Sequence, residues 1–254
     1  MANIISVINN KGGTGKTTTV LNLGAALAKR KQRVLLVDLD SQGNLTSTFQ
    51  SGTNDMGIGE LLVGNCSMDD VLKTNGNLSL IPSTDKLLDF EFQINNEPGR
   101  EYMLREQLEK LADDFDFILI DCPPSLGTLS INSLVAANSF IVPMQAENFA
   151  FIGLDRIMLI TEKVKTRMNP SLELDGILFV KLAPRTKFSQ AVISNLTNNQ
   201  NFQGKLFNTY IRQDIALMES GAFKQTIFEY APRSRGSHDY MDLAKEILKR
   251  YGKK

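Results

Sequence analysis

The stretch "VINNKGGTGKTTTVLNL", residues 7–23, joins a short apolar run to a helical pattern through a glycine-rich loop. Gly12, Gly13 and Gly15 allow the backbone to turn its N–H groups inward, where they can hold phosphate oxygens. A helix that begins near Lys16 adds its positive end to this anion site. The stretch therefore predicts a phosphate-binding loop between a strand and a helix.

The loop departs from the standard phosphate-loop pattern, G-x-x-x-x-G-K-[ST]. Gly15, Lys16 and Thr17 match the end of the pattern, but Asn10 stands at its first glycine and a second lysine, Lys11, follows. We expect Lys16 to reach the β- and γ-phosphates and Thr17 to place its hydroxyl on Mg²⁺. The alternative is a glycine-rich turn without a ligand.

Two further motifs contain carboxylates at the ends of apolar runs. "RVLLVDLDSQGN", residues 33–44, places Asp38 and Asp40 at alternate positions, on the same side of a strand. "DFILIDCPPS", residues 116–125, ends its apolar run in Asp121. Because ligands bind at the carboxyl ends of strands in open α/β sheets, we expect these carboxylates to lie beside the glycine loop. Asp121 is then a candidate ligand of Mg²⁺.

The three motifs together resemble the ParA/MinD family of ATPases, which has a deviant Walker A loop. The resemblance implies that Lys11 reaches across a nucleotide-sandwich dimer to the partner's phosphates and that Asp40 orients the attacking water. Asp38 would support the water shell of the magnesium ion, although Ser41 replaces the family's usual proline in this segment. ATP and Mg²⁺ are the implied cofactors. The nucleotide-binding residues implied for this loop are Gly12, Gly13, Thr14, Gly15, Lys16, Thr17 and Thr18.

Short apolar runs alternate with helical patterns along the chain. This alternation predicts an α/β fold with a mainly parallel central sheet and helices on both faces, the P-loop NTPase class. We expect a single domain over residues 1–254, with a variable region at 51–100 and a C-terminal helix at 236–251. The predicted strands are 4–8, 33–38, 78–82, 115–121, 139–144, 175–180 and 207–211. The predicted longer helices are 16–30, 101–112, 127–137, 151–168 and 187–199.

The downstream half resembles the ParA/Soj branch of the family through three segments, which are "VPMQAENFAFIGL" (142–154), "VKLAPRTKFSQAV" (180–192) and the segment from 210 to 248. The resemblance implies that Lys181, Ile211 and Arg212 flank the adenine. It also implies non-specific DNA binding, with Arg185 as a contact. The family's second DNA-contact arginine is missing, since Ala216 falls there. Candidate replacements are Lys187, Arg233, Arg235 and the basic tail, which contains Lys245, Lys249, Arg250, Lys253 and Lys254.

Charge is distributed unevenly between the two halves of a neutral chain. Residues 1–150 carry 11 Lys and Arg against 18 Asp and Glu, and residues 151–254 carry 17 against 10. A basic C-terminal half favours a polyanionic partner, although solvated charges alone would give the same balance. The N-terminus lacks the pattern of a secretory signal, and no apolar run is long enough to span a membrane. We expect a cytoplasmic, nucleoid-associated protein.

The resemblance implies a partition or positioning ATPase that dimerises on ATP, binds DNA and is released when a ParB-like or other adaptor stimulates hydrolysis. One alternative is a MinD-like switch, which uses a C-terminal amphipathic helix to bind membranes. We expect no membrane binding here, because acidic residues are dispersed through the last helix. A second alternative is a subunit-bridging iron–sulfur cluster, which Cys66 and Cys122 do not favour in their contexts.

Overall fold

The computed structural model describes residues 1–49, 56–147 and 150–253, without the side chain of Ala150. Within these ranges, seven strands form one sheet in the order β3-β4-β2-β5-β1-β6-β7. Among the described strands, β3 alone pairs antiparallel with its neighbour. The strands are β1 (Asn3–Val7), β2 (Val34–Asp38), β3 (Lys73–Asn75), β4 (Leu78–Ile81), β5 (Phe117–Asp121), β6 (Ser139–Met144) and β7 (Glu173–Phe179).

Helices cover both faces of the sheet. The described α-helices are α1 (Lys16–Lys29), α2 (Asn44–Thr48), α3 (Ile58–Leu62), α4 (Met68–Val71), α5 (Leu87–Ile94), α6 (Met103–Glu109), α7 (Thr128–Ala136), α8 (Ala150–Arg167), α9 (Lys187–Asn198), α10 (Ile215–Ala222), α11 (Ile227–Tyr230) and α12 (Arg235–Arg250). Short 3₁₀ helices occupy Arg100–Tyr102 and Gln200–Phe202. The expected α/β class, with a mainly parallel sheet covered on both faces, is confirmed.

Alternation along the strands divides the core into two hydrophobic clusters, one on each face of the sheet. In β1, Ile5 and Val7 join the cluster beneath α1 and α12, whereas Ile4 joins the cluster on the other face. Both clusters are needed because a parallel sheet is buried on both sides, which explains why its strands read as nearly continuous apolar runs. The sheet is thereby a fixed platform for the loops at its edge.

The sheet register brings the three sequence motifs together. Val7 at the end of β1 lies beside Asp121 at the end of β5, and Asp121 in turn lies beside Asp38 at the end of β2. The glycine loop follows β1 directly and leads into α1. Carboxyl ends of parallel strands meet at one edge, so this edge is where the candidate site is built.

The expected strand at 207–211 is wrong. This segment makes isolated contacts with β7, through the Phe207 and Ile211 N–H groups, but does not form a continuous ladder. Between them, the N–H groups of Asn208 and Thr209 donate to the carboxylate of Glu246, at 3.0 and 2.9 Å. A side chain from α12 thus takes the donors that a strand would need.

Some short elements were predicted from the sequence and others were not. The stretch 51–76 was expected to be loop-like with short helices, and it contains α3 and α4; strand β3, within the same stretch, was not expected. Helices α5, α10 and α11 were not expected. Residues 51–55 of this stretch lie outside the described part of the chain.

Candidate functional site

The glycine loop presents free backbone donors at the start of α1. Gly13 and Gly15 have φ angles of 73° and 80°, which glycine adopts without strain. Among the described residues, no backbone N–H group from residue 12 to residue 18 has a hydrogen-bond acceptor. The first turn of α1 also contains no acidic residue. These features make the loop an anion site, as its sequence predicts.

The two lysines of the loop occupy different environments. Lys16 is 6% exposed, and its Nζ donates to the backbone oxygen of Lys11 at 3.3 Å. The Lys11 side chain is 61% exposed and forms an ion pair with Glu147 of the same chain. A buried ammonium needs negative charge nearby, whereas an exposed one is free to change partner. Lys16 is therefore buried at the loop, whereas Lys11 is exposed at its rim.

Asp38 is a buried carboxylate whose hydrogen bonds are all satisfied. Its Oδ1 accepts from the Asp40 N–H at 3.1 Å, and its Oδ2 accepts from the N–H and hydroxyl of Thr46 at 2.9 and 2.8 Å. Burial raises the pKa of Asp38 to about 6 and outweighs these hydrogen bonds. Asp38 thus holds the loop that follows β2 through Asp40 and Thr46.

Asp121 is the opposite case. It is fully buried, and neither of its oxygens has a hydrogen-bond partner among the described residues. Burial raises the pKa of Asp121 well above its ordinary value, and the negative charge of Asp38 adds to the effect. The Thr17 hydroxyl lies close enough to oppose this rise but makes no hydrogen bond of regular geometry. A buried carboxylate in this state is typical of a residue that awaits a cation.

No group of three or more His, Cys, Asp and Glu side chains among the described residues is arranged to hold a metal ion by itself. Mg²⁺ in phosphoryl-transfer sites usually has one or two protein ligands, with waters and phosphate oxygens as the others. Asp121 and Thr17 could provide that number of ligands beside the glycine loop.

A cleft of about 540 Å³ opens from the loop towards α10 and α12. This volume lies in the range of small-molecule sites. Asp40, which is 9% exposed, lies on its wall. The structure brings the following predicted residues together around this cleft: Gly12, Gly13, Gly15, Lys16, Thr17, Thr18, Asp40, Lys181, Ile211 and Arg212.

Two residues predicted to flank an adenine have their charged ends occupied by the protein. The Lys181 Nζ donates to the Gly13 carbonyl at 2.9 Å. The Arg212 Nε lies 3.0 Å from both oxygens of Asp239, and its NH2 lies 2.6 Å from Oδ1. These contacts leave backbone and aliphatic surface, with Ile211, to face the cleft. Sequence reasoning missed other lining residues, of which Leu217, Met218 and Tyr240 are apolar or aromatic.

The predicted DNA-binding residues divide between two edges of the molecule. Arg185, Lys187, Arg233 and Arg235 lie at the starts of α9 and α12 or just before them, near the carboxyl edge of the sheet. All four are exposed and form no ion pair with any described residue. Lys249 and Arg250 end α12, at the amino edge.

Most of the basic residues at the amino edge are bound within the chain. Arg250 pairs with Glu246 at 2.9 Å, and its guanidinium lies 4.1 Å from the centre of the Phe207 ring. Lys253 lies 3.3 Å from Asp116, and Lys245 pairs with Asp242 at 2.8 Å. Lys254 lies outside the described residues. Arg250 and Lys253 therefore hold the end of the chain against the sheet.

The last helix buries its apolar face in its own domain. Tyr240, Leu243, Ala244, Ile247 and Leu248 are each 2% exposed or less. In the described part of the chain, no helix is long and apolar enough to cross a membrane. The amphipathic pattern of α12 is thus used for intramolecular packing.

Comparison with known proteins gives consistent relatives across the whole chain. Residues 2–174 match the family model described as an AAA domain. The chain is 39% identical to the sporulation initiation inhibitor protein Soj of Bacillus subtilis, covering 97% of this chain and 98% of that protein. It is 38% identical to the chromosome-partitioning ATPase Soj of Treponema pallidum, covering 100% of both.

A solved structure shows the same fold around a bound nucleotide. The Mycobacterium smegmatis protein named cobyrinic acid a,c-diamide synthase, crystallised with ADP and magnesium, is 32% identical and superposes with a TM-score of 0.87. The match covers 99% of this chain and 96% of that chain. The sequence relatives, the family model and the loop geometry agree. The chain belongs to the ParA/Soj family of partitioning ATPases.

Proposed function

We propose that this chain is a ParA-type partition ATPase. It binds ATP with Mg²⁺, dimerises on ATP, coats DNA without sequence preference and is released when a partner stimulates hydrolysis. The observation that carries the proposal is that an anion site and a cation site lie side by side at one edge of the sheet. Among the described residues, the N–H groups of the glycine loop have no regular hydrogen-bond acceptor and the Asp121 carboxylate has no donor, so the loop can bind an anion and Asp121 a cation. A magnesium–nucleotide complex supplies both.

The residues present fit a magnesium ion. Asp121 and Thr17 would hold it, and Asp38, whose own oxygens are already hydrogen-bonded, would act only on its water shell. When bound, the ion neutralises charge that develops on the phosphate oxygens. The magnesium in the related Mycobacterium smegmatis structure supports this assignment.

The chain's own residues would do the remaining work by position and charge. Lys16 has its ammonium buried at the loop, where low solvent access strengthens its attraction to phosphate oxygens. Asp40 stands on the cleft wall and would orient the attacking water. The Asp40 N–H donates to Asp38 at 3.1 Å, and the Asp40 Oδ1 accepts from the Gln42 N–H at 3.1 Å, so both the backbone and the carboxylate are held in place.

Lys11 extends the site to a second chain. Its side chain is 61% exposed at the rim of the loop, and an exposed ion pair such as Lys11–Glu147 contributes only about 0–1 kcal/mol. Such a pair is easily exchanged for a phosphate of a partner chain. Competence for hydrolysis would then require two ATP-bound chains, so ATP would act as the dimerisation switch.

DNA binding would use the exposed basic residues at the carboxyl edge, namely Arg185, Lys187, Arg233 and Arg235. Phosphate contacts suffice for binding without sequence preference and make it strongly salt-dependent. The proximity of these residues to the cleft offers a route by which ATP-dependent dimerisation can present them together. Lys249, at the opposite edge, would contribute less. A ParB-like or other adaptor protein would stimulate hydrolysis at the nucleoid.

A MinD-like membrane switch is the competing function. It requires an amphipathic helix that is free to bind a lipid surface. The apolar face of α12 is buried against α1 and the sheet, with Tyr240 bonded to Thr19 in α1. Releasing that face would expose part of the hydrophobic core, so the structure favours the partition function.

Binding to two polyanionic surfaces distinguishes the two functions. The purified protein is mixed with random-sequence DNA or with anionic liposomes, each with ATP and Mg²⁺ or with ADP and Mg²⁺. We expect the protein to bind DNA with ATP but not with ADP, and we expect salt to weaken this binding. We expect no recruitment to liposomes with either nucleotide. Recruitment to liposomes in ATP, without DNA binding, would overturn the proposal.

An Asp40→Ala variant tests the hydrolysis step of the same cycle. It should bind ATP, remain dimeric and stay on DNA, because the attacking water is no longer oriented. Size-exclusion chromatography with light scattering, in ATP, measures the dimer. A monomer under these conditions would contradict the role given to Asp40.

A further inference from the structure

The carbonyl oxygen of Gly13 is held from outside the glycine loop by two side chains. The Gln145 Nε2 donates to it at 2.8 Å, from just beyond β6, and the Lys181 Nζ donates at 2.9 Å, from just beyond β7. Both donors come from the ends of neighbouring strands, so the sheet fixes their positions. One carbonyl of a flexible glycine is thereby clamped by two rigid elements.

Lys181 adopts a backbone conformation that lysine rarely takes. Its φ angle is 50°, in the left-handed region. The neighbouring residues impose this conformation, because the Val180 N–H donates to the Met144 carbonyl at 2.9 Å and the Leu182 N–H donates to the Ile211 carbonyl at 3.0 Å. Strain of this kind persists where the surroundings fix the backbone and is common at functional sites. Here its effect is to direct the lysine side chain at the loop.

Fixing the Gly13 carbonyl also fixes the next N–H group. The peptide unit between Gly13 and Thr14 is planar and trans, so its C=O and N–H point in opposite directions. Gly13 has a φ angle of 73° and no Cβ, and a peptide beside such a residue rotates easily. The turn over Gly12 and Gly13 brings the Thr14 N–H towards the Lys11 carbonyl, but Thr14 N–H forms no hydrogen bond of regular geometry with any described residue, so this contact alone does not fix its direction. The clamp on the carbonyl supplies that direction.

We infer that Lys181 and Gln145 are positioning residues for the anion site. They keep the Gly13–Thr14 peptide oriented with its N–H on the side of the loop away from the clamp, ready for a phosphate oxygen. Lys181 thus acts through the loop and not through contact with the adenine. The inference rests on the proposed nucleotide-binding function and deepens it.

The inference is tested by a double-mutant cycle on nucleotide affinity. The dissociation constant of a fluorescent ATP analogue with Mg²⁺ is measured for the wild type, Lys181→Met, Gln145→Ala and the double variant. We expect each single change to weaken binding by about three- to tenfold, the range for the loss of one hydrogen bond. Because the two donors share one acceptor, the double variant should be weakened by less than the product of the two single effects.

Three further variants separate positioning from stability. Lys181→Arg retains a cationic donor and should recover most of the affinity. Lys181→Gly removes the donor and the backbone strain together, so it should bind as weakly as Lys181→Met while its Tm is unchanged or raised. Lys31 is the matched control, since it also has a positive φ angle, of 63°, and lies beyond the far end of α1. Lys31→Met should bind the analogue like the wild type.

Several results would overturn the inference. Effects that multiply in the double variant would show that Lys181 and Gln145 act separately, as they would if Lys181 touched the nucleotide itself. Wild-type affinity in both single variants would show that the clamp has no role. A wild type that fails to bind the analogue would refute the proposed function, and the clamp would fall with it.

Discussion

The two edges of the sheet differ in how their carboxylates are paired, as Asp116 and Asp121 show at the two ends of strand β5. At the amino edge, Asp116 accepts the Arg33 N–H at 2.9 Å and lies 3.3 Å from the Lys253 ammonium. At the carboxyl edge, Asp121 has no hydrogen-bond partner among the described residues. Burial raises the pKa of Asp116, but its bonds to Arg33 and Lys253 outweigh that and hold it below its ordinary value. Nothing offsets burial at Asp121 to the same extent.

The different pairing of Asp116 and Asp121 indicates that one edge contributes stability and the other contributes binding. Buried polar groups are normally paired because an unpaired one destabilises the fold, by about 1–3 kcal/mol for each neutral group and more for a charge. The amino edge obeys this rule, whereas the carboxyl edge, among the described residues, contains a carboxylate and loop N–H groups without hydrogen-bond partners. A protein retains such groups where a ligand pairs with them, so the amino edge contributes stability and the carboxyl edge contributes binding.

Asp121→Asn is the strongest way to test this contrast. Mg²⁺-dependent ATP turnover should fall by at least about 100-fold, because the protein's carboxylate ligand is lost. The nucleotide-free variant should nevertheless be more stable, by about 1–3 kcal/mol in the free energy of unfolding at pH 8, since an uncompensated buried charge is removed. Turnover assays and urea unfolding measure the two effects.

Asp116→Asn is the matched control, five residues earlier in the same segment. It should reduce stability by up to about 1 kcal/mol, because the partly exposed pairs with Arg33 and Lys253 are lost, and it should leave turnover unchanged. If both variants changed stability in the same direction, the contrast between the edges would be wrong.

The stability of the protein should depend on pH through two groups of carboxylates, one with raised and one with lowered pKa values. Burial raises the pKa of Asp38 to about 6 and also raises that of Asp121, so the folded state holds protons that the unfolded state releases. Stability of the nucleotide-free protein should therefore fall as pH rises between about 4 and 6, by up to about 1.4 kcal/mol per pH unit for each such group.

Glu246 and Asp116, two carboxylates that are paired within the chain, act in the opposite sense. Burial raises the pKa of Glu246, but hydrogen bonds from the Asn208 and Thr209 N–H groups and from Arg250 outweigh it, so the pKa lies below its ordinary value. The pKa of Asp116 is also lowered. Their contribution is present above the ordinary carboxyl values and is lost as pH falls through the lowered ones. Thermal unfolding from pH 3.5 to 8 should show a maximum near pH 4, and Asp121→Asn should reduce only the loss of stability above that pH. A Tm that rises steadily to pH 7 would exclude this assignment.

The basic residues give a third comparison between the edges. Arg185→Glu should weaken ATP-dependent DNA binding by about tenfold and reduce its salt dependence, because an exposed arginine that pairs with no described residue is lost. Arg250→Glu should lower the Tm, since it loses the pair with Glu246 and the contact with Phe207, and should change DNA affinity less. Fluorescence anisotropy with random-sequence DNA measures both. Equal losses of affinity would place DNA contacts at both edges.

The sequence predicted the carboxyl edge well because its chemistry is local. Glycines, lysines and threonines at fixed spacing make a loop, and an apolar run ending in aspartate makes a strand that delivers a carboxylate. The register of β1, β2 and β5 then brings these motifs together, as expected for a parallel sheet.

The amino edge and the clamp could not be predicted in the same way, because they depend on partners distant in the sequence. Glu246 takes the N–H groups of Asn208 and Thr209 and so prevents the expected strand at 207–211. Lys181 lines the cleft where an adenine was expected, and its left-handed backbone also directs the ammonium to the Gly13 carbonyl, which was not expected. No spacing or composition signals a left-handed lysine or a side chain that satisfies a remote backbone.

The smallest expected effect concerns one hydroxyl group at the amino edge. The Tyr251 hydroxyl lies 2.7 Å from the Ser139 hydroxyl and donates to Asp175 Oδ2 at 2.6 Å. Tyr251→Phe keeps the ring and removes these bonds, so it should lower the free energy of unfolding by about 1 kcal/mol and leave nucleotide affinity unchanged. Tyr210→Phe is the control, because Tyr210 is exposed and bonds to no described residue through its hydroxyl. A loss of nucleotide affinity in Tyr251→Phe would show that the edges are coupled and that stability and binding are not divided between them.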